Sequence, residues 1–330
     1  MELAFDKLML YGLLLLVIQI TTFVIYAIYC HAKLHDIRIV KVKDSTLYKK
    51  LLSFSGWALF GAFANVGYQQ GVNIIVNLFY GVTLNAAVGI ANQVNSAVMQ
   101  FVSGFQQALN PQLIQAEASK DRQRQLSLIL KSSKFSFLIM MCIAYPLIMN
   151  LDYVLHLWLD SYPAYTRDIC MFIMLGALLE TISGPLWVTI FATGNIKIYQ
   201  IVISLILLLN LPLSYIAGNL GIPPQGMYII RIVLFIVALV TRVCFLSKYI
   251  NLNSKVFVKS VVLPLSLIAL LLTAVYVITI SYNLFATSFI QLVYQSILNV
   301  IIVLLFSYYI GLNQSEREFV TSKVKSYLKN

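Results

Sequence analysis

Charge is scarce in this chain, and negative charge scarcer still. Only 11% of its 330 residues are charged, with 12 Asp and Glu against 23 Lys and Arg, where soluble domains carry roughly 25%. The four cysteines (Cys30, Cys142, Cys170, Cys244) are scattered within or at the ends of apolar segments, without C-x-x-C spacing. That leaves no disulfide framework and no zinc site, and they read as packing residues. The three histidines (His31, His35, His156) sit at loop edges with no ligand partner at helical spacing. There is no G-x-S-x-G, P-loop, H-E-x-x-H or D-x-D run, and the longest charge-poor loop, around 152–168, offers only Asp152, Asp160 and Arg167 as reactive groups. The chain reads as a non-enzyme that needs no cofactor and no metal.

What is present is apolar length. The chain is 60% hydrophobic with a mean hydropathy of +0.85, more apolar surface than a water-soluble core of this size could hide, so the bilayer is its solvent. Nine apolar stretches fall at about 8–30, 54–80, 82–109, 134–150, 168–193, 198–217, 228–247, 260–281 and 285–312. Each is long enough, or nearly so, to cross about 30 Å of hydrocarbon as a helix. The fourth is the shortest and is expected to gain length from 152–159. Residues 8–30 are too long for a signal-peptide core and lack a small-residue cleavage site, so they read as a span.

The net charge of +11 could suggest nucleic acid, but the basic residues form no single soluble patch. They collect in alternate gaps: 20 of the 23 lie after spans one, three, five and seven and in the tail, and only Lys7, Arg167 and Arg231 lie on the other side. Cytoplasmic loops are enriched in Lys and Arg. The pattern therefore predicts an N-terminus outside and a C-terminus in the cytoplasm. Two surface helices are expected at the membrane interface. Residues 45–52 (STLYKKLL) start with Ser/Thr capping chemistry, and 315–328 open on a Ser315/Glu318 capping box. Residues 117–131 read as a cytoplasmic extension of span three and the approach to span four.

Spans two and three are too polar for helices bathed in lipid. Span two carries Asn65, Gln69, Asn73 and Asn77 at i, i+4, i+8 and i+12. Span three carries Gln93, Gln100 and Gln107 seven apart, with Asn92, Ser96, Ser103 and Asn110 beside them. Amides facing hydrocarbon without partners each cost several kcal/mol, so they serve either as glue between helices or as the wall of a polar cavity. Their number on two adjacent helices favours the cavity. A kink is expected at Gln69-Gln70-Gly71 and a tight turn at Tyr80-Gly81-Val82. Span five holds Glu180, the only acidic residue deep in a span, just before Ser183-Gly184-Pro185, which should break or kink the helix. A mid-membrane carboxylate is a functional candidate by default, here for proton or cation coupling; the alternative is a structural hydrogen bond from a neutral carboxyl. Arg231 opens span seven, either as a contact for an anionic substrate group or snorkelling to the interface.

The run GWALFGAFANVGYQQGVNIIVNLFYGVTLNAAVGIANQVNSAVMQFVSGFQQALNPQLIQ (56–115), with its N-x-x-x-x-G-x-x-x-N-A-A-x-G-I-A-N-Q-V core (77–94) and F-Q-x-A-x-N-P-Q (105–112), resembles bacterial polysaccharide-biosynthesis (O-antigen type) flippases. These belong to the multidrug/oligosaccharidyl-lipid/polysaccharide exporter superfamily. The resemblance covers these two spans by sequence and the rest by topology.

It implies an all-α, MATE-like transmembrane bundle of two six-helix lobes around a central cavity. On that alignment 1–30 is the last helix of the first lobe, 31–53 the cytoplasmic linker and 54–250 the second lobe. Residues 251–312 are two additional helices and 313–330 a cytoplasmic amphipathic tail. The first five helices of the family pattern have no counterpart, so the chain is expected to be the C-terminal part of such a protein. The implied activity is moving an undecaprenyl-pyrophosphate-linked oligosaccharide across the bacterial inner membrane by alternating access, coupled to H+ or Na+. Its partners are then the lipid-linked oligosaccharide and membrane lipids. The amides would meet sugar hydroxyls and Glu180 would couple the ion. The rival readings are a MATE-type drug or cation antiporter, a polymerase or glycosyltransferase, whose loop and metal motifs are absent, and a non-transporting fragment.

Overall fold

The computed structural model describes residues 7–33, 43–282, 285–318 and 321–322. Among these there is no strand, and eight helical segments are long and apolar enough to cross a membrane. The chain divides into two units, Met1–Leu51 and Leu52–Asn330. The first holds α1 (Lys7–Lys33), whose side chains from 9 to 33 are all exposed, and the start of α2 (Ser45–Ala118). The separate interfacial helix expected at 45–52 is instead the first two turns of α2. It is capped by Asp44, whose Oδ1 accepts from the backbone N–H groups of Thr46 (2.8 Å) and Leu47 (3.2 Å). Residues 34–42 of the linker lie outside the described residues.

The remaining helices are α3 (Arg122–Met149), α4 (Leu151–Leu159), α5 (Thr166–Ala192), α6 (Lys197–Leu208), α7 (Asn210–Asn219), α8 (Gln225–Ile250), α9 (Ser254–Phe257), α10 (Leu263–Ser281) and α11 (Phe289–Phe306). A short π-helical stretch, Val258–Val262, joins α9 to α10, and another, Ser307–Gly311, follows α11. Span four gains its length at the other end from that expected: α3 starts twelve residues early at Arg122, and 151–159 form the separate α4. Pro212 sits just past the join of α6 and α7, where it cannot donate to the preceding turn.

Nine spans were read from sequence, and the two counts differ at α2. Its 74 residues are helical throughout except Gly81, at φ 80°, ψ 177°, a conformation open chiefly to glycine. The chain reverses there. Phe54 meets the Phe191 ring at 6.1 Å and the Gln106 Nε2 reaches the Thr181 carbonyl at 3.0 Å, and both partners lie on the one helix α5. A straight helix would hold Phe54 and Gln106 about 78 Å apart. The element is therefore a hairpin, and its two arms are the predicted spans two and three. At Gln69-Gln70-Gly71, where a kink is expected, the helix is unbroken, since Gly81 alone departs from helical dihedrals. Gly71 instead gives room to Leu211, whose Cδ2 would stand 2.6 Å from a Cβ there.

Of the break or kink expected at Ser183-Gly184-Pro185, the break is absent: α5 runs through to Ala192. Proline removes the N–H that would have bonded the Thr181 carbonyl one turn back. Gln106 takes that place, donating from Nε2 to the Thr181 carbonyl and to the Ser136 Oγ, each at 3.0 Å. Gly184 makes the approach feasible, because a Cβ would lie 2.5 Å from the Gln106 Oε1. One amide thus ties the second hairpin arm to α3 and α5.

Contacts within the second unit sort the gaps onto two ends. At one end the Tyr80 hydroxyl donates to the Ile222 carbonyl (2.5 Å), the Gln225 Nε2 to the Asp168 carboxylate (2.9 Å) and the Ala286 N–H to the Asn150 Oδ1 (3.3 Å), while Arg167 pairs with Asp152 at 3.0 Å. At the other end Lys197 lies 5.2 Å over the Trp57 ring and buried Lys134 pairs with buried Glu316 at 2.7 Å. Within the second unit the gaps rich in Lys and Arg share this second end, in the alternation the charge pattern predicts. Past the apolar part of the hairpin, Glu117 is buried here between Lys120, Arg122 and Gln125. Burial works to raise its pKa, but hydrogen bonds from Arg122, Lys120 and Gln125 outweigh it and bring it down to about 2.

The tail's capping box is read two residues late. Asn313, not Ser315, is the cap: its Oδ1 accepts from the Glu316 N–H (2.9 Å) while its own N–H donates to the Glu316 Oε2 (2.9 Å). The rest of the predicted tail helix, beyond 318 except 321–322, lies outside the described residues.

Gln106→Leu should leave the Thr181 carbonyl unanswered and lower unfolding stability in detergent by about 1–2 kcal/mol. In a Pro185→Ala background, whose new N–H serves that carbonyl, the loss should fall by half or more. Equal losses in both backgrounds would show that the amide does not stand in for the missing N–H.

Candidate functional site

The two hairpin arms, α5, α6 and α8 enclose a cavity of about 560 Å3. The first arm contributes Asn65, Tyr68, Gln69, Gln70 and Asn73; the second contributes Asn92, Asn95 and Ser96. Glu180, Trp187 and Phe191 come from α5, Tyr199 and Gln200 from α6, and Tyr228, Arg231, Phe235 and Arg242 from α8. Seven of the sequence-derived candidates therefore meet here: Asn65, Gln69, Asn73, Asn92, Ser96, Glu180 and Arg231. Small residues set the spacing of the walls. At Gly61 a Cβ would stand 2.0 Å from the Gln200 Nε2, so the glycine lets α6 lay its amide against the first arm, where that Nε2 donates to the Trp57 carbonyl at 3.4 Å.

Four candidates do not join them. Asn77 is exposed and off the cavity. A row of residues four apart winds by about 40° per step, so twelve residues beyond Asn65 it has turned about 120° and neared the bend at Gly81. Gln93, Gln100 and Gln107 are likewise exposed and absent from the lining. They hold one face by their sevenfold spacing, but one residue on a helix is about 100°, and the face that turns inward is that of Asn92 and Ser96. The glutamine that faces neighbouring helices lower on this arm is Gln106, one position from Gln107. An exposed amide row on a spanning helix requires water or a protein partner.

Arg231 lines the cavity, six residues into α8. Its guanidinium is flanked by the Tyr68 and Phe235 rings, 5.8 and 5.1 Å from their centroids. The Tyr68 hydroxyl lies within the electrostatic reach of both Arg231 and Glu180. Among the described residues neither Arg231 nor Glu180 takes part in an ion pair. Three buried wall atoms have no hydrogen-bond partner: the Tyr228 hydroxyl, the Arg231 Nε and the Asn95 Oδ1. Buried polar groups are nearly always answered, so two donors and one acceptor wait on this cavity. Among the described residues no three His, Cys, Asp or Glu side chains gather as metal ligands.

Sequence reasoning missed Arg242, Gln200, Trp187 and the tyrosines. By position in the sequence Arg242 groups with the basic residues after span seven. The signal that places it in the cavity is its spacing of eleven from Arg231, three helical turns on one face. No family model, curated protein or solved structure matches the chain.

In a background without the native cysteines, Asn73→Cys and Ser96→Cys should react with a small charged thiol reagent in intact membranes. Val98→Cys, at a position buried between helices, should not. Equal protection of all three would show the cavity to be dry.

Proposed function

We propose that this protein is a lipid-linked oligosaccharide flippase of the polysaccharide-biosynthesis type, working by alternating access in the bacterial inner membrane with its C-terminus in the cytoplasm. The observation that carries the reading is an amide-lined cavity with unanswered donors inside a bundle of apolar helices. Asn and Gln carry both donors and acceptors without charge, which matches sugar hydroxyls. Its volume falls within the range of about 300–1,000 Å3 of ligand pockets. The MATE-like two-lobe arrangement, with 54–250 as the second lobe and 251–312 as two additional helices, belongs to the same proposal. So does the absence of enzymatic chemistry.

In this reading Arg231 meets the negative charge of the pyrophosphate or glycan. Glu180, on the cavity wall and free of an ion pair, is the group that binds H+ or Na+. Two arginines against one carboxylate in the lining weigh against a carrier of cationic drugs, because a positive wall repels that cargo.

Glu180→Gln should abolish surface-glycan output while leaving the amount of inserted protein unchanged. Wild-type glycan from the variant would remove Glu180 from the coupling role.

A further inference from the structure

Arg231 and Arg242 are eleven residues apart on α8, three turns and within about 20° of one face, with a rise of about 16 Å between them. Both line the same cavity, and each is anchored at a different height on the opposite wall. Arg231 stands against Tyr68 of the first hairpin arm. The Nε of Arg242 donates to the Tyr199 hydroxyl at 3.2 Å, and the neighbouring Gln200 rests at Gly61. Gly61 and Tyr68 are two turns, about 10 Å, apart along the arm. With anchors about 10 Å apart, a single phosphate group cannot bond both guanidinium groups so held.

Each guanidinium also lacks an anion. A guanidinium keeps its proton in proteins, so the charge must be answered where it stands. Arg231 has a buried Nε without an acceptor, and the buried Tyr228 hydroxyl, three residues earlier on the same helix, is also unpartnered. Arg242 has its Tyr199 bond alone, and among the described residues neither arginine pairs with a carboxylate. Trp187, linked to Tyr199 of the Arg242 site through the Phe191 ring (5.5 and 6.4 Å between centroids), is 43% exposed although every other residue from 181 to 190 is buried. Its indole therefore faces the open cavity.

We propose that the cavity holds two separate anion sites, one at Arg242 near the basic-loop end and one at Arg231 three turns further along, and that a phosphate-bearing ligand is handed from the first to the second. Two stations of modest affinity let an anion enter and still leave, where one strong site would trap it. The inference rests on reading this cavity as the ligand's path.

The test is calorimetric titration of the purified protein, in a Trp57→Phe/Trp158→Phe background that keeps Trp187 as the only tryptophan of the three. The probes are inorganic pyrophosphate and farnesyl pyrophosphate. Two sites per chain are expected. Arg231→Gln and Arg242→Gln should each leave one site, the double variant should leave none, and Arg→Lys at either position should retain its site at roughly tenfold weaker affinity. The Trp187 emission should respond to probe in Arg231→Gln and not in Arg242→Gln. Occupancy by both probes supports the inference with a free anion as sufficient ligand, and occupancy by the prenyl probe alone supports it with a lipid headgroup as the source. A single site lost in either variant, or two sites indifferent to both substitutions, overturns it. Two sites in a protein whose deletion leaves surface glycan normal would keep this inference and remove the flippase reading; one site with a glycan defect would do the reverse.

Discussion

In hydrocarbon a polar group has no solvent to fall back on, so each one must be answered by the protein or by enclosed water. Most of what distinguishes this bundle follows from that constraint. Pro185 leaves the Thr181 carbonyl without its helical partner, and Gln106 crosses from another helix to supply one. Lys134 is buried and pairs with buried Glu316, which the Asn313 N–H also holds. Seven buried side-chain atoms among the described residues go unanswered, and three of them stand on the walls of the cavity. The Tyr228 hydroxyl, the Arg231 Nε and the Asn95 Oδ1 are buried and unanswered, and all three border one space. Three unanswered polar atoms from two helices gathered around one cavity fit a polar occupant.

The helices set the shape of that space through close approaches. Gly61 against Gln200 and Gly71 against Leu211 bring the first hairpin arm onto α6 and α7, and Gly218 receives Phe79 near the bend. The three pairs rise together in residue number along both partners, so the first arm and α6–α7 run in the same direction. α8 then brings its two arginines to the far wall. Rigid spanning helices, rather than loops, carry nearly every lining residue, which fixes the two guanidinium groups at different depths.

Much of the architecture was legible in the sequence, because apolar length and basic loops are read directly by the bilayer. The spans, the alternation of ends and the bend at Gly81 needed no tertiary information. The break at Pro185 was misread because the local rule for proline does not know that a glutamine on another helix can serve the freed carbonyl. The glutamines at 93, 100 and 107 were misplaced for a different reason. Their spacing shows that they share a face, and only packing decides which face turns inward. Arg242 was missed because near the end of a span a charge that lines a cavity and a charge that marks a loop look alike until the facing helix is in place. Asn313 shows the same limit at short range, since Ser315 offered an equally good capping pattern two residues on.

We propose that this protein carries a lipid-linked saccharide across the bilayer. The most direct measurement reconstitutes the native protein into vesicles holding a fluorescent polyprenyl-pyrophosphate oligosaccharide in both leaflets and adds a membrane-impermeant quencher. Nearly complete quenching, against about half in protein-free vesicles, is the predicted result. A plateau at half with correctly inserted protein would contradict it.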